Sequence, residues 1–307
     1  MATRIWLDTD LGTDVDDALA LAFALRHPEL ELAGVSTVFG DVELRARMVE
    51  ALLRLAGAEG PPVLVGLGKP LTENRIGIML GHEGQGLLTD ASPRIRTDSD
   101  PDAARRVDAL AQAIEGARAD ALVAIGPLTN VAALIRAGSK LPRLSIMGGK
   151  TAPVEIDGVT PTIDEWNWHC DPDAVATLLG QGPPKAGLPR VFPAEITFRT
   201  PISPADHAAL AGGDALCRSL ASLAEIWLGK LAEIGSQRPQ IFLHDPLTVA
   251  SLSAPDLCLM QPVRLERDGE SGCVCRPGPA NVELAVDVDP RRIRDLVMET
   301  LLGALAG

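Results

Sequence analysis

Five aspartates fall within ten residues near the start of the chain: Asp8, Asp10, Asp14, Asp16 and Asp17, in LDTDLGTDVDD. The stretch carries one glycine and no base. Two unit charges ~4 Å apart repel by about 4 kcal/mol at an effective dielectric of roughly 20. Such groups either point apart into water or share a positive partner. Helix capping accounts for two or three of them. Asp14 or Asp16 could cap a helix starting near 16, and Asp17 would favour its positive end. Capping leaves Asp8 and Asp10, which follow an apolar strand. A divalent cation accounts for more. Carboxylates without His or Cys beside them select a hard ion, Ca²⁺ or Mg²⁺ ahead of Zn²⁺.

Two familiar acid-rich patterns fit poorly. Counted from Asp8 as an EF-hand loop, the fifth position is Gly12 and the twelfth is Leu19, where acids belong. The D-x-D opening of haloacid-dehalogenase-type phosphatases wants Thr or Val two positions after the second Asp. Gly12 stands there, and no lysine motif is placed to hold a phosphate.

The elements that position these acids alternate along the chain. Apolar runs at 4–8, 32–39, 61–66, 121–126, 144–149 and 190–196 read as strands. Helical spacing marks 16–27, 41–57, 105–118, 128–138 and 171–182. The alternation predicts an α/β fold: a central, mostly parallel sheet flanked by helices. The last third adds two consecutive helices over 203–235, short strands over 256–287 with a turn around ERDGESG, and a closing helix over 289–305. No linker interrupts the pattern, so 1–307 reads as one domain. Ligands of open parallel sheets bind beyond the strands' carboxyl ends. The acids, Gly40-Asp41, Gly126-Pro127 and Gly148-Gly149 all follow strands, which points to one shared site.

Composition narrows the partners. Lys plus Arg number 28 against 41 acids, a net charge of −13. Phosphate contacts need a basic face, so nucleic acid is excluded, and so is an anionic membrane surface. No apolar run reaches a membrane span, and MATRIWLDTD has no signal-peptide core. The five cysteines are odd in number and scattered, which predicts reduced thiols in a cytoplasmic protein.

DTDLGTDVDDALAL resembles the opening signature of the inosine-uridine-preferring nucleoside hydrolases, DTDPGxDDA. VSTVFGDVELRA is similar to that family's TTVxGN segment, GHEGQGL to its H-G-x-x-G-L-G loop and LVAIGPLTNVAALI to its G-P-L-T-N segment. IMGG with TPTIDEWNWHCDPDAV, and then FLHDPLTVA, continue the match in order from residue 4 to about 252. The resemblance implies a Ca²⁺-dependent enzyme that hydrolyses the N-glycosidic bond of a ribonucleoside to ribose and free base. It implies Ca²⁺ held by the side chains of Asp10, Asp17 and Asp245 and the backbone carbonyl of Ile125. Asp16, Glu165 and Asn167 would bind ribose hydroxyls, and Asp10 would also take a proton from the attacking water. A homodimer or homotetramer serving purine or pyrimidine salvage is implied as well.

The chain departs from that pattern in places. Asp14-Val15 are two extra residues, so either Asp14 or Asp16 aligns with the family's first paired acid. Asp41 replaces the usual Asn, and an ionised carboxylate cannot donate to ribose. The Asn ahead of Thr160-Pro161 is missing, and Pro161 to Glu165 is one residue longer. His244, before Asp245, is the candidate acid for the leaving base, or else a hydrogen-bonding orienter. His82, in a glycine-rich loop, is a candidate substrate contact on a lid, or else plain surface. Only 3% of residues are aromatic, and Trp227 is the candidate base-stacking ring. The rival readings are a Mg²⁺-dependent phosphatase starting at Asp8 and a non-catalytic nucleoside- or ribose-binding protein.

Overall fold

A computed structural model describes residues 2–58, 60–95, 100–154, 156, 165–180, 186–269 and 272–303. The chain runs β1 (Thr3–Thr9), α1 (Asp16–Arg26), β2 (Leu30–Thr37), α2 (Val42–Leu55), β3 (Val63–Val65), α3 (Ala103–Ala117), β4 (Ala121–Ala124), α4 (Thr129–Arg136) and β5 (Arg143–Met147). It continues through α5 (Trp166–Cys170), α6 (Pro172–Gly180), β6 (Arg190–Phe192), α7 (Ala194–Thr197), α8 (Pro204–Ala211), α9 (Ala215–Glu233) and α10 (His244–Ala250). It closes with β7 (Cys258–Asp268), β8 (Gly272–Arg276), β9 (Val282–Val288) and α11 (Pro290–Leu301).

Among the described residues the strands form one nine-stranded sheet in the order β3-β2-β1-β4-β5-β6-β9-β7-β8. Neighbouring pairs from β3 to β9 are parallel, and β7 runs antiparallel to both β9 and β8. Side chains alternate between two cores, as a strand's period of two requires. Ile5 and Leu7 of β1 join one core with α1, α2, α9, α10 and α11, while Trp6 joins the other with α3, α4 and α6. Both faces are therefore covered, which is why the central strands read as unbroken apolar runs.

The α/β expectation holds, with three local differences. The apolar run at 190–196 is strand only as far as Phe192, because Pro193 ends it and leads into α7. WNWHC and HDPLTVA form the short helices α5 and α10, which have no periodicity to announce them. The late strands are more than an appendage, since β9 pairs parallel to β6 and extends the main sheet. The departures around Gly158 to Pro161 lie outside the described residues.

Candidate active site

The loop after β1 carries the acids into a cavity of about 320 Å³ beyond the carboxyl ends of the strands. Asp10, Asp14, Asp16 and Asp17 all line it. Asp8 does not. Its side chain lies within the sheet, accepting from the Ser36 hydroxyl and, at 2.8 Å, from Asn130 Nδ2, and burial lifts its carboxyl to about 7. The N-cap of α1 is Val15, which offers no side-chain cap, and Asp14 accepts from the Val15 N–H; end-of-helix bonding thus accounts for Asp14 and not for the rest of the cluster.

Asp10 is pinned from both sides. A Cβ at Gly126 would sit 2.8 Å from Asp10 Oδ1, so only glycine lets β4's end approach this closely. From α2 the buried Arg45 donates Nε to the Phe39 carbonyl (2.6 Å), Nη1 to the carbonyls of Asp10 and Leu11, and Nη2 to Thr13 Oγ1 (3.2 Å). Its Nη2 is 4.0 Å from Asp10 Oδ2. A buried guanidinium is tolerated only when bonded and paired in this way. Burial raises the Asp10 carboxyl, and Arg45 opposes the rise.

α1 packs against α10, which brings Asp245 to Asp16 and Asp17. One carboxylate oxygen from each of the three lies within 4.8 Å of the others. Asp17 accepts from the Thr9 hydroxyl, and Asp16 Oδ2 accepts weakly from the Asp245 N–H at 3.4 Å. Burial first, then the surrounding aspartates, holds all three carboxyls well above the usual range. Oxygen-only donors, crowded and mutually repelling, fit a hard cation that would offset their charge. The tightest triple contains Asp16, where the resemblance implied Asp10. Asp10 and the Ile125 carbonyl border the same cavity.

One wall of the cavity comes from β4, β5 and α5. Glu165 caps α5, accepting from the N–H groups of Gly149 (2.7 Å), Asn167 (2.7 Å) and Trp168 (2.9 Å). Those bonds would depress its pKa, yet burial outweighs them and lifts it to about 7. Asn167 Nδ2 donates to the carbonyls of Ile125 (3.0 Å) and Met147 (3.2 Å), joining α5 to both strand ends. Trp166 lies edge-on to Phe39 with centroids 6.1 Å apart, and it lines the cavity together with Asp10.

The opposite end is apolar, with Leu80, Phe198, Trp227 and Ile234 around His244. His244 Nδ1 pairs with Thr197 Oγ1 at 2.7 Å, and Phe198 packs edge-on at 4.4 Å. Burial pulls the imidazole down to about 3, so it is neutral near pH 7.

Asp10, Asp16, Asp17, Ile125, Glu165, Asn167, Trp227, His244 and Asp245 thus converge, whereas two expected residues do not line the cavity. Asp41 caps α2, accepting from Leu44 N (3.2 Å) and Arg94 N (3.0 Å). His82 is buried, with Nε2 on the Thr13 carbonyl at 2.8 Å and its ring behind Trp227. Its loop is packed down rather than open surface. Sequence reasoning passed over Arg45, although a cation among Val42, Val49 and Leu52 on the buried face of an amphipathic helix is a readable signal. Phe198 and Thr197 carried none. The phosphatase reading finds no support here. Asp8, its required nucleophile, is outside the cavity, and no Lys or Arg is among the cavity's described lining.

A model of the inosine-uridine preferring nucleoside hydrolase family matches residues 5–295. The non-specific ribonucleoside hydrolase RihC of Escherichia coli (strain SMS-3-5 / SECEC) is 31% identical over 322 residues, covering 98% of this chain and 99% of the relative. RihC of Escherichia coli O6:H1 (strain CFT073) is 32% identical over 327 residues, covering 99% and 100%. Among solved structures, the plant nucleoside hydrolase PpNRh1 superimposes with a TM-score of 0.76 at 26% identity over 98% of this chain and 99% of that one. A purine-preferring ribonucleoside hydrolase from Gardnerella vaginalis shares the fold, with a TM-score of 0.78 at 23% identity over 98% of each chain.

Proposed function

The chain belongs to the inosine-uridine preferring nucleoside hydrolase family and is a ribonucleoside hydrolase, and from that premise we propose a Ca²⁺-dependent reaction in which its buried aspartates hold the ion and activate water. Asp16, Asp17 and Asp245 hold the cation, with Asp10 and the Ile125 carbonyl completing the protein's share. When bound, the ion would supply positive charge beside the sugar and make a water easier to deprotonate. Asp10, beside Arg45, is placed to take a proton from a water facing the anomeric carbon. As the N-glycosidic bond breaks, positive charge grows on the sugar. The carboxylates of Asp10 and Glu165 stabilise that charge electrostatically. Glu165 and Asn167, fixed by backbone bonds, orient the sugar. Neutral His244 polarises the leaving base through a ring N–H, while Trp227 and Phe198 enclose the base. The products are ribose and the free base.

The observation that carries this reading is the convergence of Asp10, Asp16, Asp17 and Asp245, from two distant segments, on one cavity. We further infer a cytoplasmic salvage enzyme of residues 1–307 acting as one unit. Exposed apolar residues such as Ile95 and Leu259 support self-association as a homodimer or homotetramer, which sedimentation would test. The main test is a panel of nucleosides assayed for reducing sugar, with and without chelator. Metal-dependent ribose release is expected. Tight nucleoside binding with no product over hours would instead make the chain a binding protein.

A further inference from the structure

The two residues inserted in the opening signature, Asp14-Val15, and the displaced His82 meet at one ring, that of Trp227. Asp14 is not part of the close acid triple; it lines the cavity together with Trp227, and its carboxylate accepts from the Val15 N–H. An indole N–H can only donate, so an acidic neighbour is the partner its edge would take. Behind the ring lies His82, stacked with centroids 5.8 Å apart and an interplanar angle of 22°.

His82 is itself immobilised. A carbonyl only accepts, so the 2.8 Å contact to Thr13 places the imidazole hydrogen on Nε2. Its Nδ1 is buried without a partner among the described residues. Thr13 is held in turn by Arg45 and, at 3.4 Å, by Glu83, whose carboxylate also accepts from Leu80 N (2.6 Å) and Gly81 N (2.8 Å). The same loop presses on Trp227's own helix. A Cβ at Gly86 would come within 2.8 Å of Ile226 Cδ1 and 3.3 Å of Ser222 Oγ. The ring is thereby backed on its rear face by His82, with Asp14 beside it on the cavity wall, both on elements tied to the acid loop.

We propose that Asp14 and His82 are positioning residues that hold the Trp227 indole as a rigid wall of the base end, and that this clamp sets the preference for ribosides of planar aromatic bases. The proposal rests on the reading of Trp227 as a base wall and adds the two residues that fix it. His82 acts through Trp227 and not through the substrate.

The test compares two inhibitors, a ribose-shaped iminoalditol with and without a phenyl group at the anomeric position. Their affinity ratio isolates the base end from the sugar end. In Trp227→Ala the ratio falls by ~10-fold or more, and in His82→Ala and Asp14→Ala by ~3- to 10-fold, the range that one lost aromatic or hydrogen-bonded contact produces. His82→Phe, which keeps a flat ring behind the indole, retains the parent ratio. Calorimetry of Asp14→Ala with Ca²⁺ gives parent-like affinity. An unchanged ratio in Trp227→Ala overturns the wall reading itself. A fallen ratio there with parent ratios in His82→Ala and Asp14→Ala overturns the clamp alone. Lost Ca²⁺ affinity in Asp14→Ala makes Asp14 a metal ligand and removes it from the clamp.

Discussion

The two ends of the cavity are built differently. At the acid end nearly every group is fixed by short-range polar bonds to backbone. Arg45 ties Asp10 to Phe39 and Leu11, Glu165 accepts three N–H groups, and Asn167 spans Ile125 and Met147. At the other end Phe198, the C-cap of α7, meets His244 of α10 edge-on, and Trp227 of α9 stacks on His82 behind it, with few directional bonds. Backbone-anchored carboxylates can be preorganised for a charge that develops at one place, which is where electrostatic catalysis gains most. An aromatic wall can take more than one base and discriminates by area and planarity. On the proposed reading, the chemistry belongs to the first end and the selectivity to the second.

Substitutions at the two ends should therefore fail in different ways. Asp10→Asn removes the base and is expected to lower kcat by ~10³- to 10⁴-fold with the fold intact by circular dichroism. Near-parent turnover would remove Asp10 from that role. Arg45→Met leaves the buried carbonyls of Phe39, Asp10 and Leu11 without their donor and the Asp10 carboxylate without its nearest positive charge. It should cost about 3 kcal/mol or more of stability, read from urea unfolding, because one half of a buried pair is gone. Unfolding at the parent midpoint would mean that water replaces the guanidinium. Asp245→Ala should weaken Ca²⁺ binding at least ~10-fold in a calorimetric titration, since one of three charged oxygens is lost. Unchanged affinity would place the ion elsewhere. At the base end the effect should be smaller and depend on the leaving group. His244→Ala is expected to slow inosine by ~10²-fold and a p-nitrophenyl riboside far less, because a nitrophenolate leaves without assistance. Equal slowing of both would make His244 structural and blur the contrast.

The acid end was also the more legible in the sequence. The spacing of Asp10, Asp16 and Asp17 after one apolar strand, and the HDP step at Asp245, survive as linear patterns because one turn and one helix start carry them. The sheet was legible for the same reason, since buried parallel strands leave continuous apolar runs. What the sequence hid depends on tertiary packing. Asp41 looked like a sugar ligand and serves as the cap of α2, a role that any Asp ahead of a helix can take. His82 looked solvent-facing in its glycine-rich loop, yet Glu83 accepts from Leu80 and Gly81 and the loop folds flat. Thr197 and Phe198 reach His244 only because Pro193 stops β6 and α7 turns the chain back. No local pattern encodes that approach.

The central claim is that ribose release depends on a divalent ion held by the buried aspartates. It is tested most directly by stripping the protein with chelator and following inosine hydrolysis as Ca²⁺ is titrated back. Activity should fall by ~10²-fold or more and return in step with calorimetric binding of one Ca²⁺ per chain. Full turnover in excess chelator would contradict the account.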